Sequence, residues 1–345
     1  MNKSLWVVAV ATVAMLLWGL FKEPAGCQQI ATQSCFNQLA IDPSGDWSNY
    51  SFVALSHIRA APGAPAPNPS LRGNVQRLFV DEPAFVLSLG DLYYNITDAR
   101  VEEIKSWTTQ NVPVPFFNAI GNHDSQTGGD PLPDGSITQV GHDVERYARE
   151  FGDPNYNFSL GSELFIFLEQ GQTWVLPAQK YNHLKKLLER AAADDTIKNI
   201  FLMTHLVIWS YYNPAVEPVF RYRHPVMPPE DYRFFLDELK PLLESLAEDK
   251  QIYLLAGDIG GGGKYLQTFY LKDEHLTYIA TGMGADKRNS FITFSVKDGE
   301  VSFKNTNVVS GLESSLEDFG LDYWNTFYRD NPKLAALADQ IDKSD

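Results

Sequence analysis

Apolar runs that end in polar residues recur along this chain. Residues 85–89, 115–120, 199–203 and 251–256 are apolar runs of strand length, and a carboxylate, amide or imidazole follows each one. In α/β folds, the carboxyl ends of the strands are where ligand sites form. The pattern therefore predicts a sheet that collects functional side chains along one edge.

Helical spacing alternates with the strand patterns. The predicted helices are 70–80 with Ser70 as the N-cap, 98–110, 143–151, 178–193 and 230–249. Further strands are predicted at 51–55, 156–160 and 163–169, and a period of two predicts four antiparallel strands between 265 and 308. We therefore expect a four-layer α/β/β/α sandwich, in which two mixed sheets pack face to face and helices flank them.

The N-terminal segment is the exception to a globular pattern. Residues 5–21 are apolar except for Thr12, and Trp6 and Trp18 stand near the two ends, as aromatics at a membrane interface do. We expect residues 1–22 to form a transmembrane anchor, with the body outside the cytoplasm, in a periplasmic or extracellular space. A cleaved signal segment followed by secretion is the alternative that stays open.

The rest of the chain divides by composition. Residues 23–48 are a linker that contains Cys27 and Cys35, the two cysteines of the sequence, which could form a disulfide in an oxidising compartment. Residues 49–310 form the predicted domain. Residues 311–345 are an acidic extension, expected to be helical and to pack on that domain.

The composition limits the partners. Of the 345 residues, 13% are aromatic and 21% charged, which is typical of a globular protein. The formal net charge of −15 disfavours nucleic acid, because such binding depends on neutralising phosphates with Lys and Arg. We expect no nucleic-acid partner, and membrane contact only through the N-terminal segment.

Four polar clusters carry the candidate chemistry. Gly90-Asp91-Leu92-Tyr93-Tyr94 and Gly121-Asn122-His123-Asp124 follow two of the predicted strands. Thr204-His205 and Gly257-Asp258 follow two others. Carboxylate, amide oxygen and imidazole together form a mixed oxygen and nitrogen set that suits a divalent transition metal.

The G-D-x-x-Y and G-N-H-D motifs resemble those of the calcineurin-like metallophosphoesterases, in the version found in purple-acid-phosphatase-like members. The resemblance covers roughly residues 50–310 and implies hydrolysis of a phosphate ester at one or two divalent ions, Mn, Zn or Fe. It implies that Asp91 bridges two ions and that Tyr94 binds the first as a tyrosinate. Asn122 and His205 would bind the second ion.

The resemblance also implies roles around the substrate. His123 would face the leaving-group oxygen as an acid or an electrostatic stabiliser, and Asp124 would orient its ring. His142 could approach this site from the loop after the signature motif. The aromatic-rich loop 206–229 carries three residues that could reach an anionic substrate, namely Arg221, Arg223 and His224.

Two motifs depart from the family pattern. His57-Ile58-Arg59 stands where the family has Asp-x-His or Asp-x-Gly, and Gly257-Asp258-Ile259-Gly260 stands in place of Gly-His-x-His. Asp258 could replace the lost histidine on the second ion, and His57 could still bind the first. Arg59 could supply the positive charge of a missing first ion, because a guanidinium suits a pair of phosphate oxygens.

Two functions stay open. The expected one is an exported metal-dependent phosphoesterase that hydrolyses a phosphomonoester or phosphodiester of a small molecule, glycan or lipid at an altered site with one ion or two. The alternative is a non-catalytic binding or scaffold protein that reuses the fold in envelope or extracellular-polymer assembly. The altered ligands favour the scaffold, and the retained His123-Asp124 pair favours the enzyme.

Overall fold

The fold is built from short strands joined by helices and loops. The computed structural model describes residues 32–60, 64–129, 132, 136, 138–169, 178–210, 213, 216, 219–220, 234–260, 266–284 and 287–333. The strands in this part of the chain are β1 (Asn49–Leu55), β2 (Val86–Ser88), β3 (Phe116–Asn118), β4 (Gln126–Thr127), β5 (Gly141–His142), β6 (Tyr156–Leu160), β7 (Glu163–Phe167), β8 (Asn199–Met203), β9 (Gln251–Ala256), β10 (Thr268–Lys272), β11 (Leu276–Thr281), β12 (Ser290–Lys297), β13 (Glu300–Asn307) and β14 (Glu313–Ser315). The helices are α1 (Pro69–Arg72), α2 (Asp98–Asn111), α3 (Asn122–Ser125), α4 (Val144–Phe151), α5 (Ala178–Ala192), α6 (Lys240–Leu246) and α7 (Leu321–Asp330).

Two six-stranded sheets form the centre of the protein. The first has the order β14-β13-β12-β1-β2-β3 and the second the order β10-β11-β9-β8-β7-β6, while β4 and β5 pair separately. Strands β1, β2 and β3 run parallel in the first sheet, and β7, β8, β9 and β11 do so in the second. The carboxyl ends of the parallel strands in each sheet therefore meet at one edge.

Alternation along β1 shows how the two sheets are packed. Phe52 and Ala54 point into the layer between the sheets, whereas Val53 and Leu55 point to the outer face. The ring of Phe52 meets that of Phe165, from the other sheet, edge-on at 5.3 Å between centroids. Fully buried side chains of this size each contribute about 1.5–3 kcal/mol from removal of apolar area.

Helices cover both outer faces. On the first sheet, α2 and α4 contribute Ile104, Trp107 and Phe151 to one apolar cluster. On the second sheet, α5 and α6 contribute Leu188 and Leu243 to another. The structure therefore confirms the expected four-layer α/β/β/α sandwich.

The predicted helix 70–80 is wrong. Asn68 is the N-cap, since its Oδ1 accepts a hydrogen bond from the backbone N–H of Leu71 at 3.1 Å, and Pro69 opens α1. The helix ends at Arg72, and a separate 3-10 turn covers Val75–Phe79. The segment Gly73-Asn74 interrupts the helix, because glycine is a poor helix former.

Segments outside the domain's strands close its edges. In α7, Trp324 is buried and its Nε1 donates to the carbonyl oxygen of Thr268 at 2.8 Å. Ser34 donates through Oγ to the carbonyl oxygen of Phe116 at 2.6 Å, on edge strand β3. Cys35 is buried and disulfide-bonded.

The structure does not describe the N-terminal residues for which an anchor and a disulfide partner are predicted. Cys27 and the expected anchor 1–22 lie outside the described residues. Among the helices that the structure describes, none combines the length and apolarity needed to cross a membrane.

Candidate metal centre

Loops at the carboxyl ends of β1 and β2 are joined by backbone hydrogen bonds. The N–H of His57 donates to the carbonyl oxygen of Gly90 at 3.0 Å, and that of Arg59 donates to the carbonyl oxygen of Asp91 at 3.1 Å. His57 and Asp91 have φ values of 52° and 60°, in the left-handed region that non-glycine residues seldom adopt. These bonds hold the two strained residues side by side.

Asp91 lies at the centre of the cluster and presents its two carboxylate oxygens in different directions. Its Oδ1 is 3.3 Å from Nε2 of His205. Its Oδ2 is 3.1 Å from Nε2 of His57 and 3.1 Å from Nε of Arg59. Asp91 is 1% exposed, so each oxygen depends on these neighbours rather than on water.

Hydrogen-bond acceptors converge on Nε2 of His205. Its Nδ1 lies 2.6 Å from the carbonyl oxygen of Leu89, which places the ring proton there and leaves a lone pair on Nε2 of the neutral ring. Asn122 Oδ1, Asp91 Oδ1 and Asp258 Oδ1 lie 3.1, 3.3 and 3.9 Å from that nitrogen. Acceptor atoms that face one another repel unless a cation lies between them, so this arrangement fits a shared cation.

His57 extends this cluster toward Asp258. Its Nε2 is 3.4 Å from Oδ1 of Asp258, and both ring nitrogens are buried without a hydrogen bond of good geometry among the described residues. His57, Asp91 and His205 each offer a ligand atom, and these atoms lie within 4.8 Å of one another. Orphaned polar atoms of this kind and the mixed donor set fit a divalent transition metal.

The pKa directions agree with a cation-seeking cluster. Burial works to raise the pKa of Asp91, but the imidazoles of His205, His123 and His57 hold it well below its usual range. Burial works to lower the pKa of His57, while Asp91 and Asp258 raise it, and the net direction is upward. The pKa of His205 is lowered by burial, which keeps its ring neutral.

Asp124 is placed differently from the prediction. The carbonyl oxygen of Tyr94, and not Asp124, lies 2.6 Å from Nδ1 of His123 and so orients that ring. The carboxylate of Asp124 instead accepts four N–H groups, from Asp91, Leu92, Gly121 and the Asn118 side chain, at 2.7–3.1 Å. Asp124 therefore fixes the loop that presents Asp91.

Two opposing effects act on the Asp124 carboxyl. Burial is the larger cause and the charge of Asp91 the second, and together they raise the pKa of Asp124 to about 7. The four N–H donors act in the opposite direction, because they favour the ionised form. Gly121 is required beside it, because a Cβ at that position would overlap the backbone nitrogen and Oδ1 of Asp91.

His123, Tyr94 and Arg59 form a group beside the cluster. The rings of Tyr94 and His123 are 5.1 Å apart, and the Arg59 guanidinium lies 5.6 Å from the Tyr94 ring centroid. Burial lowers the pKa of His123 to about 4, although the charge of Asp91 acts in the other direction. The Tyr94 ring thus contacts these two side chains, and its role as a metal ligand stays a prediction.

The remaining predicted residues divide into two groups. His142 is half-buried in β5, with Nδ1 3.1 Å from Oγ of Ser125. Arg221, Arg223 and His224 lie outside the described residues.

Asn118 and Tyr93 were missed by sequence reasoning. The Asn118 side chain donates to Asp124, and the Tyr93 hydroxyl donates to the Asp124 carbonyl oxygen at 2.9 Å. Both follow or end apolar strands, but neither residue type by itself signals a supporting role.

The last motif is shaped by close backbone packing. Gly260 has a φ of 82°, and a Cβ there would overlap the carbonyl oxygen of Gly282. A Cβ at Gly282 would in turn overlap the carbonyl oxygen of Ile259. The chain therefore has no room at position 260 for the histidine that the family carries there.

The sandwich has a calcineurin-like metallophosphoesterase fold. Among solved structures, the purple acid phosphatase PPD1 from yellow lupin (Lupinus luteus) seeds is similar, with a TM-score of 0.50 and 12% sequence identity. The alignment covers 81% of this chain and 54% of that phosphatase, so the chain spans about half of its length. No protein-family model and no curated protein matches the sequence. The likeness establishes the fold, and this fold is the one that the motif resemblance implies.

Proposed function

We propose that this protein is an exported, metal-dependent phosphoesterase. The observation that carries the proposal is the convergence of acceptor atoms from Asp91, Asn122, His205 and Asp258, joined by His57, at the carboxyl ends of the strands. These residues would hold a divalent ion, Mn, Zn or Fe. Such an ion, when bound, supplies Lewis-acid polarisation of a phosphoryl oxygen and an activated water.

His123 is the residue proposed to act at the leaving group. Its Nδ1 is anchored on the carbonyl oxygen of Tyr94, so Nε2 is the nitrogen left for a substrate. In the protonated ring, Nε2 would donate a proton to the leaving oxygen, and in the neutral ring it would accept a hydrogen bond. Its contribution should therefore depend on the basicity of the leaving group.

The proposed substrate class rests on the motif resemblance and on the chain's charge. A phosphomonoester or phosphodiester of a small molecule, a glycan or a lipid fits the proposal. The net charge of −15 disfavours nucleic acid as the substrate. The N-terminal segment 1–22 is proposed to anchor the protein in a membrane with the body outside the cytoplasm, or to direct its secretion.

Turnover of a panel of phosphomonoesters and phosphodiesters with added Mn²⁺ or Zn²⁺ tests the proposal. Asp91→Ala should abolish metal binding and turnover, because its carboxylate touches both halves of the cluster. His123→Ala should reduce turnover most for poor leaving groups and little for an activated aryl phosphate. Asp143→Asn is a matched control, since the Asp143 side chain caps α4 through the N–H of Arg146 and asparagine caps as well.

A non-catalytic binding protein is the second candidate. The direct contact of Arg59 with Asp91 and the packed backbone at Gly260 favour it, because both alter the ligand set of a hydrolytic site. No turnover above that of an Asp91→Ala/His123→Ala double variant, on any ester of the panel, would select this candidate.

A further inference from the structure

The half of the site around Oδ2 of Asp91 does not fit the metal ion that the fold implies there. We infer that the guanidinium of Arg59 takes the place of this first ion, so that the site combines one metal ion with one permanent organic cation that binds the substrate's oxyanion. That the bound oxyanion belongs to a substrate rests on the proposed function. The binding of an anion by Arg59 can be tested without measuring turnover.

Arg59 is fixed on Asp91 at two points. Its backbone N–H donates to the carbonyl oxygen of Asp91 at 3.1 Å, and its side-chain Nε lies 3.1 Å from Oδ2 of the same residue. The face of the Tyr94 ring lies 5.6 Å from the guanidinium carbon, within the range of a cation–π contact. A guanidinium held in this way occupies the side of Asp91 that a bridging carboxylate would offer to a first ion.

The backbone leaves no room for the histidine that would bind a first ion beside Arg59. The family's terminal histidine falls at Gly260, where a side chain would overlap the main chain of Gly282. The positive φ of Gly260 adds strain for any L-residue. The first ion would therefore keep His57, one oxygen of Asp91 and the predicted ligand Tyr94, whose ring already contacts the fixed positive charge of Arg59.

The two terminal nitrogens of the Arg59 guanidinium can donate hydrogen bonds to an anion. Its Nε lies 3.1 Å from Oδ2 of Asp91, while the edge formed by the two terminal nitrogens can bind two oxygens of a phosphate side by side. The Arg59 side chain is 18% exposed, and among its nitrogens in the described structure Nε is the one found buried without a hydrogen bond, so part of the guanidinium reaches solvent. An arginine stays protonated at all physiological pH values, so this anion binding should persist in the metal-free protein.

The test uses the full chain stripped of metal, with inorganic phosphate as the probe in titration calorimetry. The wild type should bind phosphate, and Arg59→Gln should weaken binding about tenfold or more, since a charge-assisted contact is lost. Arg59→Lys should fall between them, because lysine cannot hold two oxygens in one plane. Arg329→Gln, in the exposed part of α7, is the control and should bind as the wild type does.

Metal analysis of the reloaded wild type gives the second readout. One equivalent of Mn²⁺ or Zn²⁺ supports the inference, and none or two overturn it. Equal phosphate affinity in the metal-free wild type and Arg59→Gln also overturns it, as does a wild type that binds no phosphate. One equivalent of metal with Arg59-dependent phosphate binding, but no ester hydrolysis, would refute the proposed function and leave this inference standing.

Discussion

Asp124→Asn is the substitution that tests how the site is supported. Oδ2 of Asp124 accepts the N–H groups of Asp91 and Gly121 and the side-chain amide of Asn118, at 3.1, 2.8 and 3.1 Å. Oδ1 accepts the N–H of Leu92 at 2.7 Å. All four partners are donors, so a carboxylate satisfies them and an amide cannot.

The size of the effect follows from this geometry. The best arrangement of the introduced amide keeps its oxygen at the Oδ2 position and turns its NH₂ group toward the N–H of Leu92. Two buried donors then face each other, and each unsatisfied donor costs about 1–3 kcal/mol. We expect the free energy of unfolding to fall by roughly 2–6 kcal/mol, together with weaker metal binding, because Asp91 loses its support.

Urea denaturation at pH 8, analysed by linear extrapolation, measures the loss. This pH lies above the Asp124 pKa of about 7, so the wild-type carboxyl is ionised. Asp143→Asn is the matched control, since that carboxylate caps α4 with one backbone N–H at 2.8 Å and asparagine caps as well. A change below about 0.5 kcal/mol in Asp124→Asn would show that Asp124 is already protonated and would refute the hydrogen-bond argument.

Three further predictions concern stability. Chelation of the metal should lower the melting temperature, since an ion present at a hundredfold its Kd adds about 2.7 kcal/mol, and an unchanged melting temperature would contradict the metal site. Trp324→Phe should cost about 1–2 kcal/mol in urea denaturation, through the lost bond to Thr268 and the smaller ring, without changing turnover. Burial lowers the pKa of His142, so the stability it contributes should be lost as the pH falls below its usual 6.5. The difference in unfolding free energy between wild type and His142→Gln should therefore shrink from pH 7.5 to pH 5, and a constant difference would refute this.

The buried parallel strands were the easiest part of the fold to predict. Strands β8 and β9 are buried on both faces and read as continuous apolar runs, and their predicted bounds match the structure. The polar residues that follow them are brought together because parallel strands end at one edge. The positions of Asp91, His205 and Asp258 near one another follow from that rule.

Helix caps, very short strands and backbone partners were harder to predict from the sequence. Ser70 and Asn68 both offer a cap for the same helix, and only the structure shows that Asn68 is used. The pairing of β4 with β5 rests on two residues from each strand, which gives no periodic pattern in the sequence. The partner of His123 is a backbone carbonyl, so no side chain of the motif could reveal it.

Backbone strain distinguishes a maintained site from a relic of the fold. His57 and Asp91 both have positive φ, a conformation that costs about 1 kcal/mol or more for a non-glycine residue. Their side chains meet at 3.1 Å, in the centre of the cluster, so the strain falls on the two residues whose orientation decides that contact. A scaffold that only needed the sandwich could place glycine at both positions and avoid this backbone strain. The strained pair, held by backbone bonds to its neighbours, therefore supports the proposed cation site.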